Sequence, residues 1–413
     1  MKTRSLVICA VVVVPCFVLS LDTEPCAAGV VCPDDPNCTV LVGTEARYIV
    51  ACQDVNLAGP AYGAINNVYG KPTWVVPSEN AMAILGLVMA TEILQDPNYL
   101  AHAQRAADYL VSVQDGSDGA WYNQYRYATP DINDLGKSPR HTAEVMIALN
   151  KLGYDPNRYD AMSKGASYLM DCQAVANKGG RDDGLLGGGK DGQGKYQGWR
   201  WTHDNAYGYW ALRAAEVWAS RKHDDSFAET CAIRADTILG GINAYLYDAT
   251  TGVWHVAIDG SGTPQWPSSG LENLPSWIQY APQMLDLPAH GVNSPRVGEW
   301  IHRSFQRDDG SCISFEREAG QFKTRKYPGY SFQAALCWLD TGHTDYATSA
   351  VVWCRQSGLW QVQPDGNNQT GGWVDWVELE PTSGRKADWW DRFIDTSFYA
   401  IAAFQGGYDF RVR

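Results

Sequence analysis

The sequence predicts an all-α fold in which twelve helices form two concentric rings. Three observations lead there. Apolar residues recur at helical spacing along most of the chain. The helices come in pairs separated by glycine-rich loops, and the pairs repeat at an internal period of roughly 60–70 residues, well beyond the short solenoid periods. Within a pair the first helix is apolar all round and the second amphipathic, which is what an inner ring buried on every side and an outer ring buried on one face require.

Taken in order, Lys2 and Arg4 precede an apolar run from Leu6 to Leu19, and Val18 and Ser20 offer small residues for cleavage. Residues 1–20 therefore read as a signal peptide, too short and too soon followed by Asp22 and Glu24 to span a membrane. Residues 21–42 form a cysteine-rich segment and residues 43–413 the ring domain. Its first helix is expected over Gly43–Val55. Ser78 then opens the apolar SENAMAILGLVMATEIL, and Pro97 starts its partner, which ends near Gln114. Pro139 opens the next pair, with Gly153 and Pro156 at its turn.

The same unit continues. Thr202 starts a helix carrying Tyr209, Trp210, Leu212, Ala215, Val217 and Trp218, and its partner runs from about Asp225 to Tyr247. A pair between Leu274 and Phe305 is broken by Pro282, Pro288 and Pro295. Tyr327–Leu339 pairs with Asp345–Leu359, and Ile394–Phe404 is left to pair with the first helix. The connecting loops are often built on Asp-Gly, as in DGAW at Asp118–Trp121.

Composition narrows the functional classes. The chain has 413 residues, 45% hydrophobic, enough for one large core or two ordinary ones, and a formal net charge of -13. That charge argues against nucleic acid or anionic membrane as a partner, since both need a basic face. Beyond Cys9 and Cys16 in the signal peptide, nine cysteines remain. The trio Cys26, Cys32 and Cys38 suggests a disulfide-tied loop in an exported protein. No CxxC pair or nearby His supplies zinc spacing, so no metal or other cofactor is expected. Asn37 and Asn368 lie in glycosylation sequons.

The stretch from Gly198 to Ser220 concentrates the chemistry. Trp199 and Trp201 approach the polar cluster Thr202, His203, Asp204 and Asn205 at a helix start, where Thr202 or Asp204 could cap the free N–H groups and the helix dipole favours a carboxylate. Other inner-helix starts carry Glu79 and Asn80; Arg140, His141 and Glu144; Trp277, Gln279 and Tyr280; Tyr327 and Tyr330; and Asp395 with Thr396. Consecutive inner helices point the same way in a double ring, so these groups would converge on one mouth. Seventeen Trp, with Trp121, Trp199, Trp201, Trp254, Trp266 and Trp373 in loops, supply flat faces on which pyranose rings stack; about half of them should instead anchor loops.

The architecture, and the local match HDNAYGYW at His203–Trp210, resemble the (α/α)6 toroid of six-hairpin glycosidases, a superfamily of glycoside hydrolases and polysaccharide lyases. The DGAW and TGVW loops are also similar to repeats of terpene cyclases, but no DDxxD cluster or zinc set accompanies them. The resemblance implies a secreted enzyme acting on a polysaccharide or oligosaccharide in a cleft at one end of the inner ring. For hydrolysis, Asp204 is the expected general acid or base, Glu79 or Asp395 its partner, with Glu144 a further candidate, and His203 and Tyr207 positioning groups. Trp199, Trp201 and Tyr327 would be sugar platforms, and Asn205, His141, Arg140, Trp277 and Trp121 further substrate contacts. A lyase acting on a uronic-acid polymer is the alternative. It would use His203, Asn205, Tyr207, His141 and Arg140, with the basic run FKTRKY and Arg385, Lys386 and Arg392 drawing in the anion. A non-catalytic sugar-binding protein would keep the Trp loops and need no carboxylate.

Overall fold

A computed structural model describes residues 36–66, 74–127, 129, 131–176, 183–265, 284, 286–287, 294–312, 325–356, 360–362, 371–373, 377–378 and 394–406. The signal peptide, most of the Leu274–Phe305 pair including Trp277, and Arg385, Lys386 and Arg392 lie outside them. Eleven α-helices fall among the described residues: α1 (Pro36–Ala51), α2 (Pro77–Leu94), α3 (Pro97–Ser112), α4 (Pro139–Lys151), α5 (Tyr159–Ala176), α6 (Thr202–Lys222), α7 (Asp225–Gly241), α8 (Ser294–Phe305), α9 (Pro328–Asp340), α10 (Thr344–Gln356) and α11 (Ile394–Gln405). A π-helical turn, Ile242–Leu246, prolongs α7.

Helices α2, α4 and α6 pack side by side, α11 packs against both α2 and α9, and α3, α5, α7 and α10 each lie against the inner helix of their own hairpin. Helix α1 rests on α2 and α11, so the first and last helices do pair. It begins at Pro36, ahead of the expected Gly43, because proline suits the first helical position. It stops at Ala51 instead of Val55, and Gln53 beyond it turns to other work.

The inner and outer roles are written in the side chains. Helix α2 buries nearly every residue from Pro77 to Ala90, whereas α3 buries only Ala103, Ala106, Ala107, Tyr109 and Leu110, a single face at helical spacing. Outer helices α3 and α7 are capped by Asp96 and Asp224, whose side chains accept backbone N–H groups. Inner helices α2, α4 and α9 open on a proline, as α3 also does, and α4 is capped by Ser138, whose hydroxyl accepts Arg140 N–H. Short strands enter three inner helices: β1 (Trp74–Val75) before α2, β4 (Arg200–Trp201) before α6 and β9 (Arg325–Lys326) before α9. Each pairs antiparallel with a later loop, β1 with β2 (Gln124–Arg126), β4 with β7 (Ala257–Ile258) and β9 with β12 (Val377–Glu378); the other short strands are β3 (Ile132–Asp134), β5 (Tyr247–Asp248), β6 (Val253–Trp254), β8 (Pro264–Gln265), β10 (Trp360–Val362) and β11 (Gly371–Trp373). The inner-helix N-termini are thereby pinned at one end of the ring.

A second device repeats around the outer ring. Gln114, just past α3, donates through Nε2 to Gly119 O (2.7 Å) and to Ala161 O on α5 (2.9 Å). Gln53 does the same to Gly63 and His102, Gln173 to Gly184 and Arg234, and Gln306 to Gly310 and Tyr346. One amide thus ties the end of an outer helix to the following loop and to the next outer helix. The glycine is required: Gly119 sits at φ +79°, and a Cβ there would come within 2.4 Å of Lys164 O. Gly63, Gly184 and Gly310 press in the same way on Arg105, Thr237 and Ser349, each three residues beyond the carbonyl that the glutamine holds. Gln173 is fully buried, so Gln173→Leu takes the amide donor from Gly184 O and cuts the tie to α7, and should cost about 1–3 kcal/mol in urea unfolding. The exposed Gln193→Leu should shift stability by under about 0.5 kcal/mol.

Candidate active site

The inner-helix starts align residue for residue. The fourth helical residue is Asn80 in α2, Asn205 in α6 and Ser331 in α9, and each reaches back to the residue before its helix while holding the incoming loop. Asn205 Nδ2 donates to Trp201 O (2.8 Å) and its Oδ1 accepts Leu186 N–H (2.7 Å). Asn80 does this with Val76 O and Ile65 N–H, and Ser331 with Tyr327 O and Cys312 N–H. Asn205 is therefore a scaffold residue, with both ends of its amide engaged on backbone, and not the substrate contact expected of it.

The residue just before this scaffold position carries the chemistry: Glu79 in α2, His141 in α4 and Asp204 in α6. Preceding them stand Arg140 in α4 and His203 in α6. Asp204 does not cap its helix. Trp201 is the capping residue without a side-chain bond, and Thr202 Oγ1 donates to His255 O. With the ordinary structural use of this aspartate absent, its contact is with His203: Nε2 lies 3.0 Å from Asp204 Oδ1, the side chains being 16% and 2% exposed.

Two neutral imidazoles meet here. Burial pushes the His203 pKa down, opposed by Asp204 and assisted by Arg140. Burial, then the charge of Arg140 and then His203, lower His141 to about 3. Both rings therefore stay uncharged near neutrality, and His141 Nδ1 is buried without a hydrogen-bond partner. Arg140 is steered from below, its Nε donating to Oε1 of the fully buried Glu144 (2.8 Å). Glu144, a candidate proton-transfer group by sequence, is thus occupied in fixing Arg140.

An aromatic surface leads to this cluster. Trp199 and Trp201 stack with ring centroids 5.3 Å apart and planes within 15°, and Trp201 lies 5.8 Å from the His203 ring. Both indoles are partly exposed. Other expected platforms are not. Trp121 is buried and donates Nε1–H to Leu110 O (2.7 Å), because the DGAW loop turns back onto the core. Trp254 and Trp373 are likewise buried, the latter donating to Glu45. Tyr327 is buried against Tyr330, and Tyr207, in the second turn of α6, is wholly buried in the inner ring, away from the position expected of it at the rim. Asp395 is the second residue of α11; its side chain, like Trp277, lies outside the described residues. In the basic run, Lys326 forms an ion pair with Asp309. Cys52, Cys172, Cys231, Cys312, Cys337 and Cys354 are buried free thiols. Among the described residues no three His, Cys, Asp or Glu side chains gather as metal ligands, and no helix is long and apolar enough to cross a membrane.

Solved structures share this architecture over most of their length. A sugar epimerase from a ruminal bacterium superposes with a TM-score of 0.63 at 12% identity, covering 88% of this chain and 97% of its own. The fold is the (α/α)6 toroid. Cellobiose 2-epimerase from Bacillus thermoamylovorans B4167 matches at 0.61 and 12% identity, covering 86% of this chain and 94% of its own. The unsaturated glucuronyl hydrolase of Bacillus sp. GL1, which acts in glycosaminoglycan degradation, matches at 0.58 and 14%, covering 90% and 97%. No family model matches the sequence of this toroid, and no curated protein matches it.

The buried imidazoles give the toroid a pH dependence. His141 at about 3, and His102, lowered to about 4 by burial and then by Arg105, both charge near 6.5 when unfolded. The unfolded chain binds more protons between these values, so stability is full above about pH 6.5 and falls as pH drops toward 3. Melting at pH 7 and pH 4 should show that fall, and His141→Asn should make it shallower.

Proposed function

We propose that the protein is a secreted carbohydrate-active enzyme that hydrolyses glycosidic bonds of an oligosaccharide or polysaccharide. The observation that carries this reading is the continuity of the Trp199–Trp201 stack with the His203–Asp204 pair. An apolar sugar face laid on the indoles would bring its glycosidic oxygen to a carboxylate whose one oxygen is already held by His203. Asp204 Oδ2 is then the atom that accepts a proton from the attacking water. Glu79, the equivalent residue of α2, protonates the leaving oxygen, with Asp395 the other candidate. Helix α4 lies between α2 and α6, and adjacent helices pack about 8–10 Å apart. The two carboxylates therefore stand on second-neighbour helices, far enough apart to need side chains that reach toward each other across α4. Arg140 and His141 orient hydroxyl or carboxylate groups of the substrate.

The uncharged His141 beside His203 supports a second reading, proton transfer at a sugar carbon without bond cleavage, the type of reaction named for the epimerases that share the fold. A lyase finds less support, since Tyr207 and Asn205 are engaged in the core and Lys326 is ion-paired. Incubating the mature protein with neutral and uronate oligosaccharides, and following reducing ends, unsaturated-uronate absorbance and sugar configuration together, tests all three. New reducing ends alone support hydrolysis. A changed configuration at constant chain length would replace it with epimerisation, and new absorbance with elimination.

A further inference from the structure

The side of β4 opposite the tryptophans carries its own device. In an extended strand alternate residues face opposite ways, so Trp199 and Trp201 share one face and Arg200 points to the other. Arg200 Nε lies 2.7 Å from Asp183 Oδ2, and the two side chains are only 4% and 8% exposed. Arg200 Nη1 also donates to Gly198 O, gripping its own strand just before the tryptophans. Asp183 in turn accepts Leu185 N–H at Oδ1, and the neighbouring Leu186 N–H is held by Asn205. A closed circuit results: the loop beginning at Asp183 is bound to α6 by Asn205 and to β4 by Arg200, and β4 runs straight into His203 and Asp204.

We propose that the Asp183–Arg200 ion pair is a positioning device for the sugar-binding face. It sets the stack of Trp199 and Trp201 and its height above the His203–Asp204 pair, and so governs substrate affinity more than the chemical step. The proposal rests on the sugar-platform reading above, but its mechanical part stands apart from it. A buried ion pair is suited to the task because one guanidinium sets Nε against the Asp183 charge while its Nη1 holds Gly198 O of its own strand, two contacts that a point-charge ammonium would not make together. Loss of the pair leaves backbone pairing of β4 with β7 in place, through Arg200 with Ile258 and Trp201 with Ala257. The strand therefore stays while the indoles lose their register.

Stacked indoles couple their ultraviolet transitions, and the difference between the circular dichroism of the wild type and of Trp199→Phe isolates that couplet. In Arg200→Lys, and separately in Asp183→Asn, the couplet should fall by more than half, KM on the active sugar should rise about 10-fold, and kcat should stay within about 3-fold. An intact couplet in either folded variant, or kcat falling in step with an unchanged KM, would overturn the proposal. Should a single substitution prevent folding, the apolar pair Asp183→Leu with Arg200→Met removes both charges together and must show the same loss of couplet. Trp199→Phe that binds sugar as tightly as the wild type would sink the platform reading by itself, leaving the couplet in Arg200→Lys to judge the positioning.

Discussion

Asp204→Asn should abolish turnover while leaving the protein folded and able to bind its sugar. General acid–base groups contribute about 10²–10⁴-fold, and the substitution removes the proton-accepting charge while keeping an oxygen that accepts from His203, so a fall in kcat of about 10³-fold is expected. Binding to the Trp199–Trp201 surface does not use that charge, so the dissociation constant measured calorimetrically should move by less than about 3-fold. The melting temperature should stay close to that of the wild type. A variant retaining more than a tenth of the activity would remove Asp204 from the chemistry and move attention to His141.

Lys137→Met should produce the largest loss of stability of any single change considered for this toroid. Lys137 Nζ bonds Asp115 Oδ2 (2.5 Å) and Asp118 Oδ1 (2.9 Å), with side-chain exposures near 7%, 15% and 14%. Lys190 reaches Asp118 from the other side (2.7 Å), and Tyr168 O–H donates to Lys137 O. The network joins the loop after α3 to the loop before α6 and seats the start of α4. Burial opposes ionisation of Asp115, yet hydrogen bonds from Lys137, Ser117 and Tyr122 outweigh it and hold the carboxyl well below its usual range. Burial likewise opposes the charge of Lys137, and the bonds to Asp115 and Asp118 raise its pKa above the ordinary value. The carboxylate contribution is full above the unfolded value near 3.8 and is lost as pH falls through the lower folded value. The lysine contribution is full below 10.5 and is lost as pH rises through the higher one.

Removing the lysine strands a buried carboxylate, which costs about 3–5 kcal/mol. The melting temperature should fall by roughly 4–6 °C at pH 7, and adding Asp115→Asn should recover part of it. A loss below about 1 kcal/mol would mean that water reaches the network and screens it.

The ring architecture was legible because it is repeated. Apolar first helices, amphipathic second helices and the starts at Ser78, Pro97 and Pro139 mark the same units that the structure pairs, the first of them beginning one residue earlier at Pro77. Asp204 and His203 were legible as neighbours at a helix start. Which neighbour does what was not, because the fourth helical residue is committed to backbone, and only the fold reveals that Asn80, Asn205 and Ser331 are equivalent. Trp121 misled because a tryptophan after Asp-Gly looks exposed until the loop folds back on α3. Glutamines 53, 114, 173 and 306 were missed, although the spacing of Gln ahead of a loop glycine in QDGSDG and QRDDG was a usable signal. Asp183 and Arg200 left no such trace, being far apart in sequence and joined only by the loop that Asn205 holds.

The most direct test of the central claim is cleavage in water enriched in heavy oxygen, with the products weighed by mass spectrometry. Hydrolysis predicts one heavy oxygen at the anomeric carbon of each new reducing end and none at the matching non-reducing end, with both products absent when Asp204→Asn replaces the wild type. Shortened chains without the label, or full-length chains of altered configuration, would contradict it.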